Sequence, residues 1–204
     1  MRRPTRAGLA EAGTNLALAL LYASFAWAHL QAFRLHPRPS LVLLVLMEAL
    51  IAVLVVVRER STRTSFSPGA WLTTLGGTFA PLLLRPADVA RDAWLGDVVQ
   101  AGAFLFAVGS VLSLQRSFGL LPAVRGIRTA GAYRLVRHPL YAAYTLANLG
   151  YLASNWTARN ALLVAVALAF QVLRIRNEER LLTTVPAYAA YRARVRWRLV
   201  PFVY

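Results

Sequence analysis

Long apolar stretches separated by short arginine-dense segments dominate this chain, and that alternation leaves few folds open. A helix needs roughly 20 apolar residues to cross a bilayer. Runs of that kind occupy about residues 14–33, 40–57 and 95–114. Three weaker runs follow. Residues 67–84 contain Gly76-Gly77 and Pro81, whereas 139–154 and 158–174 are short and joined only by Ser154-Asn155-Trp156-Thr157, which reads as a tight helical hairpin. The expected fold is all-α, a polytopic membrane helix bundle of about six spans, with five as the alternative.

Composition agrees. Of the 204 residues 58% are apolar and only 15% charged, where a soluble domain sits nearer about 45–50% apolar. All 23 basic residues are arginine, against eight acids, for a net charge of +15. Nucleic acid is the reflex partner of such a charge, but these arginines flank apolar runs and do not line one soluble face. They read as anchors to anionic lipid headgroups. The complete absence of lysine fits a GC-rich coding bias, and with it a bacterial cytoplasmic membrane.

Loop charge orients the bundle. With the N-terminus inside and six spans, eighteen arginines fall on the cytoplasmic side. They lie among Arg2–Arg6, Arg58–Arg63, Arg116–Arg137 and Arg174–Arg198. The other side keeps Arg34, Arg38, Arg85, Arg91 and Arg159, beside Asp88, Asp92 and Asp97. A five-span chain would put one basic end on the wrong side. Both termini are therefore expected in the cytoplasm. The opening Met-Arg-Arg-Pro-Thr-Arg superficially resembles a signal peptide, but the apolar run after it is too long, so a retained first helix is expected. With no cysteine in the chain, disulfides, thiolate metal sites and a cysteine nucleophile are excluded.

Residues 1–114 read as transmembrane packing with one intramembrane acid, Glu48. Such an acid is either a functional residue or a hydrogen-bonding contact between helices. Residues 115–204 carry the polar, basic and aromatic segments, which should meet at the open end of the hairpin. Proline at a first helical turn costs nothing, so Arg137-His138-Pro139 leaves a helix N-terminus with free backbone donors beside two side-chain donors. That is a pocket for a carboxylate or phosphate, or else a snorkelling arginine beside an incidental histidine.

Arg174 and Glu178 share a helix face, which allows an intrahelical ion pair. Of the adjacent Glu178 and Glu179, one can pair with arginine while the other faces a cavity suited to a sulfonium or ammonium group. At least half of Tyr133, Tyr141, Tyr144, Tyr188 and Tyr191 are expected in an interfacial belt. His29 and His36 show no carboxylate partner at ligand spacing and read as interfacial. The tail Tyr188–Arg198 reads as a surface anchor. There is no GxGxxG, no Walker sequence and no serine nucleophile elbow, so any cofactor pocket must be built from helix ends and loops.

The sequence Gly131-Ala132-Tyr133-Arg134-Leu135-Val136-Arg137-His138-Pro139-Leu140-Tyr141, followed by Arg174-Ile175-Arg176-Asn177-Glu178-Glu179-Arg180-Leu181-Leu182, resembles the isoprenylcysteine carboxyl methyltransferase family. The resemblance continues through Tyr188–Val195 and Leu199–Phe202, covering roughly 112–204. It implies an S-adenosylmethionine pocket on the cytoplasmic side, formed by loops and closed by the C-terminal segment. The residues it implies for the cofactor are Arg125, Gly126, Ile127 and Arg128, then Tyr133, then Arg137, His138, Pro139, Leu140 and Tyr141, then Glu178 and Glu179. Arg174 would address a lipophilic acceptor and, with Glu178, carry the transfer.

Arg125, Ala132, Ala143 and Val185-Pro186 depart from the residues common in the family, which bears on the acceptor more than on the cofactor. The same superfamily includes sterol-type reductases, so an NADPH-dependent reductase is the alternative enzyme. A non-catalytic lipid-binding membrane protein is the alternative outside catalysis.

Overall fold

The computed structural model describes residues 6–35, 39–59, 61–65, 67–85, 87, 94–117, 119 and 121–204. Arg2, Arg3, His36, Arg38, Arg60, Asp88, Arg91 and Asp92, on which part of the charge and histidine reading rests, lie outside them. The described residues are mostly helical. Its helices are α1 (Arg6–Leu35), α2 (Pro39–Val57), α3 (Pro68–Phe79), α4 (Trp94–Leu114), α5 (Pro139–Ser154), α6 (Ala158–Leu182) and α7 (Pro186–Arg194). Three of these, α1, α4 and α6, contain stretches long and apolar enough to cross a membrane. A two-residue antiparallel ladder joins β1 (Arg63–Thr64) to β2 (Ala123–Val124), pairing Arg63 with Val124.

Local chemistry sets the helix ends. Ser67 caps α3 by accepting from the Ala70 N–H at 3.2 Å, and Thr157 caps α6 by accepting from Asn160 at 3.0 Å. Pro68, Pro139 and Pro186 open α3, α5 and α7, where a missing N–H is harmless. Pro81 lies in the tight turn of Ala80–Leu83 that ends α3, because proline cannot continue the hydrogen-bond ladder. This 67–84 segment is therefore a short helix with a tightened end.

The buried seam runs through α2, α4 and α5. Met47, Ile51 and Val55 recur every four residues, as do Ala103, Ala107 and Val111, and Ala143 and Ala147. The small residues let backbones approach. A Cβ on Gly150 would stand 2.8 Å from the Gly96 carbonyl, and one on Gly96 would stand 2.7 Å from that of Gly150. Leucine, valine and tryptophan instead face outward, as with Leu20, Trp27, Val53, Leu105 and Leu162. That is the reverse of a soluble fold and suits a lipid solvent.

The α5–α6 hairpin is less tight than its short link suggests. The packing of α5 is chiefly against α4 and that of α6 chiefly against α3, so the two splay. Asn160 holds the link by donating to the Asn155 and Arg85 carbonyls, both at 2.8 Å. The space opened between α5 and α6 belongs to the functional site.

Candidate functional site

A cavity of about 480 Å³ runs between the helices, walled by α1, α2, α3, α4, α5, α6, α7 and the loop before α5. It brings together most of the residues singled out above. Arg125, Gly126, Ile127, Arg128, Tyr133, Arg137, His138, Leu140, Tyr141, Arg174 and Glu178 all line it. Pro139 and Glu179 do not. Pro139 is fully buried at the start of α5, where its ring serves helix geometry.

The anion pocket read at Arg137-His138 exists, and its occupant is the protein's own Glu179. Arg137 Nε donates to Glu179 Oε1 at 2.7 Å, and His138 Nε2 lies 3.3 Å from the same oxygen. The Tyr188 hydroxyl donates to Oε1 at 3.2 Å, and Arg198 Nε to Oε2 at 2.8 Å. Arg137, His138 and Glu179 are all buried. A buried carboxylate is tolerable when paired and fully hydrogen-bonded in this way.

The same cluster fastens the C-terminal segment. Arg137 Nη1 donates to the Val195 and Arg196 carbonyls at 2.9 and 2.6 Å. The backbone N–H groups of Arg137 and His138 donate to the Trp197 and Arg198 carbonyls, both at 2.9 Å. The tail, expected as a surface anchor, is tied to the site. Its hydrogen bond to Glu179 holds the Arg198 guanidinium above its ordinary pKa.

Glu178 stands on the other side of the wall. Its Oε2 accepts from the Tyr141 hydroxyl at 3.0 Å, and among the described residues no cation lies within ion-pair range of it. The intrahelical pair with Arg174 does not form. The Arg174 guanidinium lies 5.2 Å over the Tyr141 ring instead, with Nη1 3.5 Å from Thr78 Oγ1. Gln171 holds α5 in place beside it, donating to the Tyr141 carbonyl at 2.9 Å and to Thr145 Oγ1 at 2.6 Å.

The five tyrosines, at least half of them expected in an interfacial belt, all line the cavity. Tyr133, Tyr188 and Tyr191 are buried and form their own cluster with Ile127 and Leu182 beside them. The Tyr191 hydroxyl donates to the Tyr133 carbonyl at 2.7 Å, tying α7 to the loop before α5. Burial raises the Tyr133 and Tyr188 hydroxyls well above the usual phenol range, and pushes Tyr191 up to about 12. All three are neutral donors at physiological pH.

The loop 125–128 is anchored by Glu59, two residues past the end of α2. Arg128 Nη2 pairs with Glu59 Oε1 at 2.7 Å, and Arg125 Nε donates to the Glu59 carbonyl at 3.1 Å. Gly126 fits because a Cβ there would meet Glu59 Oε2 at 3.1 Å. Gly131 adopts φ +58°, open to glycine at little cost, and this turn seats Tyr133.

The N-terminal helices contribute more than packing. His29 Nδ1 and Glu48 Oε2 are 2.9 Å apart, joining α1 to α2, and both line the cavity. His29 therefore has the carboxylate partner that sequence spacing did not show, because 19 residues separate the two. Tyr22, Phe25, Gln100 and Asn148 also line the cavity and carry no motif that would single them out in the sequence.

The described residues thus form a helical membrane-type bundle around an elongated, aromatic-walled cavity. Residues 111–184 match the isoprenylcysteine carboxyl methyltransferase (ICMT) family. The match spans the loop 125–128, both polar motifs and the splayed hairpin, and it supports a membrane methyltransferase in general terms. No curated protein matches the chain.

Proposed function

We propose that this chain is an integral membrane methyltransferase that takes S-adenosylmethionine as donor and a lipophilic acid as acceptor. The observation that carries the reading is Glu178, a cavity carboxylate that accepts from the Tyr141 hydroxyl, forms no ion pair among the described residues and shares the cavity lining with Tyr133 and Tyr144. A carboxylate among aromatic faces favours a cationic ligand. Bound S-adenosylmethionine supplies an electrophilic methyl group on a sulfonium. The chain's own contribution is positioning, which lowers the barrier of an in-line displacement without strong acid or base.

In this reading Arg125, Gly126, Ile127, Arg128, Tyr133, His138, Leu140, Tyr141 and Glu178 hold the cofactor. Pro139 and Glu179 act behind them as the frame, and Arg137 joins that frame to the cavity through its pair with Glu179. Arg174 meets the acceptor's carboxylate, which is already ionised at neutral pH. Residues 115–204 form the methyltransferase core, and 1–114 complete the cavity from the other side. Six spans, with both termini in the cytoplasm of a bacterial inner membrane, rest on the arginine distribution, and α1, α4 and α6 are long and apolar enough to be three of them.

The reductase alternative needs free positive charge for the phosphates of a nicotinamide cofactor. Arg128 is neutralised by Glu59 and Arg137 by Glu179, which favours the phosphate-free donor. Calorimetric titration of the purified protein with S-adenosylhomocysteine and with NADPH tests this. Saturable binding of the first, lost in Glu178→Gln, is expected. Binding of NADPH alone overturns the proposal in favour of the reductase, and binding of neither favours a non-catalytic lipid-binding protein.

A further inference from the structure

The cavity extends well past Arg174, and its far end carries polar residues on four helices opposite the apolar Pro81, Leu82 and Leu84. Along α5 the lining runs from Tyr141 to Tyr151, a rise of about 15 Å. Four helices make the same change of character within one turn. Moving away from Glu178, Phe25 is followed by His29 on α1, Ile51 by Glu48 on α2, Phe104 by Gln100 on α4 and Tyr144 by Asn148 on α5. On these four helices an aromatic and apolar layer is thus succeeded by a partial ring of one imidazole, one carboxylate and two amides, with Pro81, Leu82 and Leu84 completing the wall on the α3 side.

Such a ring is costly at this depth. Polar groups facing an apolar medium need partners, and intramembrane ionisable residues are functional candidates by default. His29 and Glu48 satisfy one bond of each other. Among the described residues, neither the Gln100 nor the Asn148 side chain takes part in any hydrogen bond with the protein. A plain hydrocarbon tail seated there would displace water from all four groups and replace none of its hydrogen bonds.

We infer that this ring is a second recognition subsite, and that the acceptor is a lipophile carrying a hydrogen-bonding group such as a hydroxyl at the end remote from its methylated group. Phe25, Ile51, Phe104 and Tyr144 grip its apolar middle, while His29–Glu48, Gln100 and Asn148 receive the remote group. The inference rests on the proposed role of Arg174 at the reacting end. It limits acceptors to molecules that reach both ends.

Calorimetric binding of lauric acid and of its ω-hydroxy derivative to the full chain in detergent tests it. The ω-hydroxy acid is expected to bind about tenfold more tightly, the effect of one net hydrogen bond. Asn148→Leu or Gln100→Leu should reduce that preference and leave S-adenosylhomocysteine affinity unchanged. Equal affinity, a preference for lauric acid, or binding of neither overturns the subsite, and the wild-type comparison decides this even where a leucine variant fails to fold. Loss of S-adenosylhomocysteine binding with the preference intact would instead overturn the methyltransferase reading and leave the subsite standing.

Discussion

Glu178 and Glu179 are neighbours in α6, yet they belong to opposite sides of the cavity wall. Glu178 faces the cavity and accepts one hydrogen bond from Tyr141, while Glu179 is held from behind by Arg137, His138, Tyr188 and Arg198. The 100° step between adjacent helical residues is enough to divide them. One carboxylate is left for a ligand and the other organises the frame.

Glu179→Ala leaves Arg137 buried without its counter-ion. The cost of breaking such a pair from one side is about 3–5 kcal/mol. Thermal unfolding in detergent should show a large fall in Tm, and the C-terminal segment should become protease-sensitive. An unchanged Tm would refute the frame role.

Glu178→Gln keeps an acceptor for the Tyr141 hydroxyl and removes only the charge. Stability should change by less than about 1 kcal/mol, while S-adenosylhomocysteine affinity falls by about tenfold or more, the scale of a charge-assisted contact. The contrast between these adjacent substitutions, read by the same two measurements, checks the division between cavity and frame.

Gly150→Ala should destabilise the α4–α5 contact by about 1–3 kcal/mol, the usual cost of overpacking, because its Cβ would meet the Gly96 carbonyl at 2.8 Å. Gly102→Ala, on α4 with nothing near its Cβ, should be neutral or stabilising by up to about 1 kcal/mol. Chemical denaturation of the two variants side by side provides the check.

Alkaline pH should loosen the α7 contact. The Tyr191 phenol is raised from 10.0 to about 12 by burial, so the folded state holds its proton more tightly than the unfolded chain. The stabilisation is full below pH 10 and is lost as pH rises through about 12. Tyrosinate absorbance and unfolding should therefore rise together over that window in the wild type. Tyr191→Phe should be less stable by about 1 kcal/mol at neutral pH and lose less in that window.

Much of the cavity's inner end is visible in the linear chain. Arg137-His138-Pro139 and Glu178-Glu179 stand out because they are polar clusters at the edges of apolar runs, and helix geometry puts Arg174 and Glu178 on one face. The partner of each group is not visible. Arg137 could as well have met a ligand, a headgroup or a carboxylate, and the choice of Glu179 depends on how α6 rotates against α5. The place of the five tyrosines on the cavity wall is hidden for the same reason, since an interfacial ring and a cavity wall share one composition.

His29 and Glu48 show the limit most clearly. Each looks like an isolated polar residue in an apolar helix, and their meeting at 2.9 Å requires α1 and α2 to pack antiparallel in one register. The sequence alone determined the solvent, the helical class and the positions of the polar motifs, because hydrophobicity, charge and helix periodicity are local properties. Which polar groups pair with each other and which are left facing the cavity was decided only by the tertiary structure, because that depends on the rotation and splay of helices joined by distant segments.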